Sequence, residues 1–400
     1  MTSPSNGRRV VIVGGGLSGL SAAVRLVQAG LPVTLLEMKQ IGSAASTVNQ
    51  GWLYSGAWFA REDPALAAAC HHAMRQTLAY CPACVEDLPH GYDHAKQMVY
   101  FTTDPDSPIE PWTHGWEMAG IPFHELGESE IRVELPDVDP KKIARAFLLP
   151  DRGFRPEILL EQLAATAENH GVEIRTGVRV RQIETSGDAA RGVLLDTGET
   201  LEASYVIDAT GAFHKSPWSE SLTPEWDVTG TDREIVLEKL HLVAGQANLQ
   251  SAPFCVLDAD GFNAIHHGPE TVFGSGRWKR VPSFVSTQPD AGEFTRLWSQ
   301  AEALIPGLDR TRIADRREWT GITAQAPHRH QVATAGPRTV IIDHGESSPP
   351  VYKMISIYPG RATLWPLLAD ATRAHVLDAL GHEPPHAPGP PWGVEAACPA

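Results

Sequence analysis

Cysteine is scarce in this sequence. There are five in 400 residues, Cys70, Cys81, Cys84, Cys255 and Cys398, too few and too unevenly spaced for a disulfide framework, which fits a reducing compartment. No apolar run approaches the roughly 18 residues that a membrane helix needs, and Met1 to Gly7 is polar rather than the charged start of a signal peptide. Basic residues are also in short supply, with 33 Lys and Arg against 48 Asp and Glu and a net charge of −15. That field repels a nucleic-acid backbone and an anionic membrane surface, while a local basic pocket for an acidic small molecule stays open. Together these absences point to a soluble cytoplasmic protein whose partner is a small molecule, with the oligomeric state undetermined. A length of 400 residues with 42% hydrophobic content exceeds what a single core usually fills, so two domains are expected.

The sharpest segment runs from Arg9 to Glu37. An apolar run, Val10 to Val13, precedes GGGLSG, then SAAVRLVQAG and LPVTLLE follow, which reads as strand, Gly-rich turn, helix and strand. Gly14, Gly16 and Gly19 have GxGxxG spacing: they allow a tight turn, close backbone approach to a pyrophosphate and tight helix packing. The helix opening at Leu17 and Ser18 aims free N–H groups at phosphates. Glu37 ends the next strand about 20 residues on, where an acid accepts ribose hydroxyls. The motif selects a dinucleotide without choosing between FAD and NAD.

Further along, helices are expected over Pro64–Tyr80 and Pro156–His170, the latter with Pro at its start and Gly171 as its stop. Met98–Thr102 and Val172–Arg175 read as strands. Val178–Glu184, Gly192–Asp196 and Thr200–Ala203 form a small β-meander ahead of the buried strand Tyr205–Asp208, which ends in ATG, Ala209, Thr210 and Gly211. A small-residue turn there returns the chain to the cofactor. Residues 214–325, rich in Trp and Pro (Trp218, Trp226, Trp278, Trp298), lack βαβ alternation. Val340–Asp343 and Met354–Ile357 are strands, Ala362–Ala379 a closing helix, and the Pro-rich tail after Gly381 irregular.

The order of GxGxxG, acid, Ser/Asn-containing loop, ATG and PGRATLWPLLADA resembles the D-amino acid oxidase superfamily of FAD-dependent oxidoreductases over nearly the whole chain. STVNQGWLYSGAWF (Ser46 to Phe59), TGITAQAP and ESSPP are similar in part to L-2-hydroxyglutarate dehydrogenase, and the first of these also to glycerol-3-phosphate dehydrogenase. The resemblance implies an α/β fold. A two-part FAD-binding Rossmann-like domain is built from residues 1–90, 149–213 and 326–381. An interleaved, mostly antiparallel α+β substrate domain takes residues 91–148 and 214–325, with 382–400 as the tail. It also implies that Ser46 binds the cofactor, that Asn49, Gln50 and Gly51 lie near the flavin ring, and that the Val180 backbone meets the adenine. Gly360, Arg361, Ala362 and Thr363 would place backbone donors at the flavin pyrimidine edge, where a helix N-terminus favours the reduced anion.

The sequence departs from these relatives at two places. Tyr358 stands where glycine oxidase-like members carry a carboxylate-binding Arg, and Leu53-Tyr54 replaces an Ile-His pair. Candidate bases are therefore sought in the strand–turn–strand segment Asn263 to Gly276, at His266 and His267, of which at most one can face the pocket; Tyr54 and Tyr358 are the other candidates. For each histidine a structural role weighs as much as a catalytic one. Arg277, Lys279 and Arg280 read as a solvated basic edge rather than an anion anchor. The CPAC segment, Cys81 to Cys84, reads as a helix end and not a redox motif, and Cys70-His71-His72 lacks a third ligand for a metal. No second GxGxxG is present for a nicotinamide, so electrons come from the substrate. The expected reaction is oxidation of a C–H bond beside an amine or hydroxyl by hydride transfer to flavin N5, with oxygen or another acceptor reoxidising the flavin. Two other readings stay open: a flavoenzyme of specialised metabolism acting on a bulky or carrier-bound substrate, and a non-catalytic FAD-binding scaffold.

Overall fold

A computed structural model describes residues 9–85, 97–215, 231–282, 287–331 and 338–381. Trp218, Trp226, Cys398 and the Pro-rich tail lie outside the described residues.

A six-stranded sheet forms the first half. Its centre is Val10–Val13, a β-branched run buried along its whole length and parallel to Val33–Glu37 on one side and Tyr205–Asp208 on the other. Glu173–Thr176 extends the sheet beyond Val33–Glu37, and Met354–Tyr358 beyond Tyr205–Asp208, both parallel. Antiparallel Val340–Asp343 closes the far edge. Side chains alternate across a strand, and both faces are covered. Val10 and Ile12 pack among the helices Leu17–Gln28, Pro156–Asn169 and Trp365–Ala379. Val11 and Val13 pack against the three-stranded meander Val180–Ser186, Ala189–Leu195 and Thr200–Glu202. The first and last helices are tied by the buried Arg25, whose Nε lies 2.6 Å from Asp370.

The second half is a nine-stranded sheet of mixed direction. Its strands are antiparallel except where Phe254–Val256 runs parallel to Met98–Thr102. Its longest pair is Val236–Gln246 with Ala314–Gln325. Helix Glu293–Leu304 covers one face, and Trp298 packs edge-on to Phe273 at 5.8 Å. Trp298 is thus a core residue, not part of a binding surface.

The closing helix starts later than expected. Ala362–Leu364 is a 3-10 turn and the α-helix begins at Trp365, because Pro366 lacks an N–H and is accommodated only in a helix's first turn. The short pair Trp52–Leu53 with Arg152–Gly153 has no periodic signal in the sequence; two residues per strand are too few to show one. Cys81 caps the helix Pro64–Tyr80 and Cys84 ends the 3-10 turn after it. Among the described residues no helix is long and apolar enough to cross a membrane, and no three His, Cys, Asp or Glu side chains converge as metal ligands.

Candidate active site

Two adjoining cavities open where the sheets meet. The first, of about 1370 Å³, lies over the carboxyl ends of the parallel strands, the usual ligand position in an open α/β sheet. Gly14, Gly16, Leu17, Ser18, Glu37, Ser46, Val180, Ala209, Thr210 and Gly211 line it, with Tyr358, Gly360, Arg361 and Ala362 on the opposite wall.

Its glycines have physical reasons. Gly14 has φ +112°, and a Cβ there would stand 2.6 Å from the Ala209 carbonyl oxygen; at Gly19 a Cβ would stand 1.9 Å from that of Gly14. Gly19 does not itself line the cavity; it lets the helix sit against the turn. The Glu37 carboxylate accepts the Gly15 N–H and the Lys39 N–H, both at 2.7 Å, which fixes it at the rim. The Ser46 hydroxyl accepts the Leu17 N–H at 3.0 Å, joining the following loop to the helix N-terminus. The ATG turn is held from beneath. Asp208, buried, accepts Thr210 Oγ1 at 2.6 Å and Thr210 N at 2.9 Å on one oxygen, and Ser356 Oγ at 2.9 Å on the other. Ser356 in turn meets His344 Nε2 at 2.8 Å. A glycine cradle that a Cβ would fill, a helix N-terminus and a fixed acid fit an adenine dinucleotide.

The second cavity, of about 890 Å³, shares Ala45, Ile322, Thr323 and Gly360–Ala362 with the first. Asn49, Gln50, Trp52, Tyr54, Trp58, Phe59 and Trp278 also line it. Tyr54 stacks on Trp52 with centroids 4.1 Å apart, and its N–H donates to Thr363 Oγ1 at 3.0 Å. Thr363 is buried and acts through that bond, lining neither cavity. Burial pushes the Tyr54 phenol well above its ordinary range. Beneath Trp52 and Tyr54 lies Asp151, fully buried, which accepts Trp52 Nε1 at 3.0 Å, Tyr100 OH at 3.1 Å and the Ser55 hydroxyl. Burial raises the Asp151 pKa against the opposing effect of these donors.

Arg361 stands on the wall common to both cavities. Its guanidinium carbon sits 4.1 Å from the Trp278 ring centroid and 5.8 Å from that of Phe59, and its buried Nε has no hydrogen-bond partner. Among the described residues lining the second cavity it is the one charged side chain. Asn263, 1% exposed, lines the same cavity; its Oδ1 is buried without a partner, and its Nδ2 donates to the Gly261 carbonyl at 2.8 Å.

The candidate bases separate. The strand pair Phe262–His267 and Glu270–Gly274 forms, and its adjacent histidines diverge. His266 Nδ1 meets Thr271 Oγ1 at 2.9 Å, and His267 Nε2 meets the Gln50 carbonyl at 2.9 Å. Neither lines either cavity. Burial lowers the His267 pKa, so it is neutral at pH 7 and donates to Gln50. Gly51, at φ +66°, is packed against that ring and lines neither cavity; a Cβ would fall 2.4 Å from His267 Cε1. Tyr358, buried, is on the first cavity rather than the second, and burial raises its phenol. Of the basic edge, Arg277 lies 3.9 Å from Asp260 and Lys279 3.3 Å from Asp290, all outside the cavities. Asn263, Trp58 and Phe59 were missed as wall residues. Trp58 and Phe59 sit within the aromatic-rich loop after Ser46, the one signal that points to them.

A dinucleotide cradle on a parallel sheet, an ATG strand end returning to it and a second cavity against it define an FAD-dependent oxidoreductase. The chain belongs to the FAD dependent oxidoreductase family DAO, whose model matches residues 9–353. It is similar to one subunit of the anaerobic glycerol-3-phosphate dehydrogenase of Escherichia coli, with 30% identity over 400 residues, 96% of this chain and 69% of that protein. It also resembles the corresponding protein of Haloferax volcanii, with 31% identity over 218 residues, 51% of this chain. The chain spans only 36% of the length of that relative. Among solved structures, L-proline dehydrogenase from P. horikoshii superposes with a TM-score of 0.71 at 16% identity, covering 94% of each chain.

Proposed function

We propose that this enzyme oxidises a small molecule at a C–H bond beside an amine or a hydroxyl, with FAD in the first cavity and the substrate in the second. The observation that carries the reading is the shared wall, Gly360–Ala362 with Ile322 and Thr323, which sets the two cavities side by side. The relatives fit both donor types, one being a glycerol-3-phosphate dehydrogenase and one an L-proline dehydrogenase.

When bound, FAD supplies the two-electron acceptor for the hydride that leaves carbon, and oxygen or another acceptor reoxidises it. The chain's own residues do the rest. Gly14, Gly16 and the helix from Leu17 would hold the pyrophosphate and Glu37 the ribose. Val180 would meet the adenine and Asn49 and Gln50 the ring, with Gly360–Ala362 offering backbone donors to it. Trp52, Tyr54, Trp58 and Phe59 exclude water and orient the substrate, since the reacting hydrogen must come within about 3–3.5 Å of its acceptor. The second proton, from the amine or hydroxyl, has no taker in the walls. No His, Asp or Glu lines the second cavity among the described residues, and the Tyr54 phenol stays neutral. In this reading an amine arrives as the neutral free base and loses only the hydride, leaving an iminium with no proton for the walls to take, whereas a hydroxyl donor needs a proton acceptor from outside these walls; His266 and His267 shape the strand and the Gln50 turn rather than moving protons. In this reading the nine-stranded sheet belongs to the substrate domain and the six-stranded sheet to the FAD domain. A cytoplasmic location suits the buried thiols of Cys70, Cys81, Cys84 and Cys255, none of which is in a disulfide.

The purified protein should be yellow, release FAD on denaturation and bleach anaerobically with an amine or hydroxyl donor. A protein that cannot be loaded with FAD, or whose flavin no such donor reduces, refutes the reading.

A further inference from the structure

Resting on the reading that FAD occupies the first cavity, we propose that His344 is a positioning residue for that cofactor. Through Ser356 and Asp208 it fixes Thr210 of the ATG turn as an acceptor-only contact for a hydroxyl of the cofactor's ribityl chain.

The directions of the hydrogen bonds in this chain follow from one fixed donor. A backbone N–H can only donate, so the Thr210 N–H at 2.9 Å makes Asp208 Oδ1 an acceptor, and the same oxygen takes the Thr210 hydroxyl proton at 2.6 Å. Asp208 Oδ2 accepts the Ser356 hydroxyl at 2.9 Å. A serine hydroxyl has a single proton, here committed to Asp208, so Ser356 Oγ meets His344 Nε2, at 2.8 Å, as an acceptor. His344 therefore carries its hydrogen on Nε2. His344, Ser356 and Asp208 are all buried, which keeps water from competing along the chain. The His344 backbone is pinned as well, its carbonyl accepting the Ser347 hydroxyl at 2.6 Å and the Val351 N–H at 2.8 Å. The ESSPP segment is thus folded around this one histidine.

At the other end of the chain the consequence is chemical. Thr210 has one N–H and one O–H, and both are turned to Asp208, so it presents only oxygen lone pairs to the cavity it lines. A hydroxyl that donates to a buried carboxylate is polarised and becomes a better acceptor. The glycine turn beside it offers N–H donors suited to phosphate, whereas an acceptor-only turn repels phosphate and suits an O–H group. Position selects which O–H. Ala209 abuts the glycine turn, since a Cβ on Gly14 would stand 2.6 Å from its carbonyl oxygen. The neighbouring strand Met354–Tyr358 leads to Gly360 on the wall shared by the two cavities. The ATG turn lies between the pyrophosphate cradle and the flavin wall, and the part of FAD that joins pyrophosphate to ring is the hydroxyl-bearing ribityl chain.

The test uses the full-length, FAD-loaded protein, equilibrated with mixtures of FAD and analogues that each lack one ribityl hydroxyl. The flavins released on denaturation are separated and the bound ratio is read. General destabilisation weakens both cofactors alike and leaves this ratio unmoved. The wild type is expected to prefer FAD over one analogue by about 3- to 10-fold, the worth of one hydrogen bond. Thr210→Val should abolish that preference. Ser356→Ala and His344→Leu keep the Thr210 hydroxyl but cut the chain beneath it, and each should lower the preference at least about 2-fold. If His344→Leu does not fold, Ser356→Ala decides. Ratios that Thr210→Val leaves unchanged for every analogue overturn the proposal, as does a preference that survives intact in Ser356→Ala or in His344→Leu. Failure of the wider functional reading looks different: the protein then cannot be loaded with FAD at all.

Discussion

Asp151 offers a sharp test of how the floor of the second cavity is built. It is fully buried and gathers three side-chain donors, Trp52 Nε1, Tyr100 OH and the Ser55 hydroxyl. Replacing it with Ala strands three buried donors at about 1–3 kcal/mol each, a loss of roughly 3–9 kcal/mol. Scaling unfolding entropy to a chain of this length gives about 1.2 °C of Tm per kcal/mol, so Asp151→Ala should lower Tm by about 4–11 °C. Asp151→Asn behaves differently. Its amide oxygen still accepts from Trp52 and Tyr100, and the Ser55 hydroxyl can rotate to accept from the new NH₂, so the cost at neutral pH should stay within about 1–2 kcal/mol. The pH dependence carries the sign. Burial raises the folded-state pKa of Asp151 above its unfolded value, so folding favours the protonated acid. The stability this supplies is present below the unfolded pKa of about 3.9 and is lost as pH rises through the raised folded value. The Tm of the wild type should therefore fall relative to Asp151→Asn as pH rises above about 4. Scanning fluorimetry across that range on both proteins measures it. A wild-type advantage over Asp151→Asn that grows with pH would refute the reasoning, as would an Asp151→Ala protein as stable as the parent.

Three further outcomes are expected. Gly14→Ala and Gly19→Ala each force a Cβ into a backbone carbonyl, at 2.6 and 1.9 Å, and should cut bound flavin per protein at least about 10-fold, measured by absorbance of the purified protein; near-full loading contradicts the cradle. Asp290→Asn leaves the buried Lys239, whose Nζ sits 2.8 Å from Asp290, without its counter-charge and should destabilise by about 2–4 kcal/mol at pH 7. Because hydrogen bonding to Lys239 depresses the Asp290 pKa, the wild-type advantage is present above about pH 3.9 and vanishes as pH falls through the depressed value, which acid denaturation series will show. Finally, kcat/KM for an amine substrate should rise with pH along the substrate's own ionisation and keep that profile in Tyr54→Phe, since the phenol stays protonated throughout; a shifted profile in the variant would make Tyr54 the titrating base.

The cofactor half was legible in the sequence because its signals are local. Gly14, Gly16 and Gly19 are fixed by clashes within one turn, and Glu37 and the ATG turn are each read against a short strand. Leu17, Ser18, Ser46, Val180 and Arg361 follow from that register and from the family resemblance, and all reach the first cavity. The substrate side was less legible because its walls are assembled by pairing across long sequence distances. Asn263 faces the cavity, and its partner in register is Gly274, whereas His266, three residues further, does not face it. A hairpin can be read from sequence, but the depth to which it enters the cavity is set by the sheet. The same holds for Thr363, whose use is a bond to Tyr54 that no spacing announces.

The strand Ala314–Gln325 is paired into the nine-stranded sheet through Val236–Gln246. Yet its last residues, Ile322 and Ala324, pack with Val340, Ile342 and Tyr358 of the other sheet and line the first cavity. The two halves are stitched rather than merely apposed, and this constrains how such an enzyme can diversify. Exchanging the whole substrate sheet for another would carry away part of the cofactor's wall. New specificities are better reached by rewriting the loop after Ser46 and the hairpin from Phe262 to Gly274, which alter the substrate's surroundings and leave the seam in place.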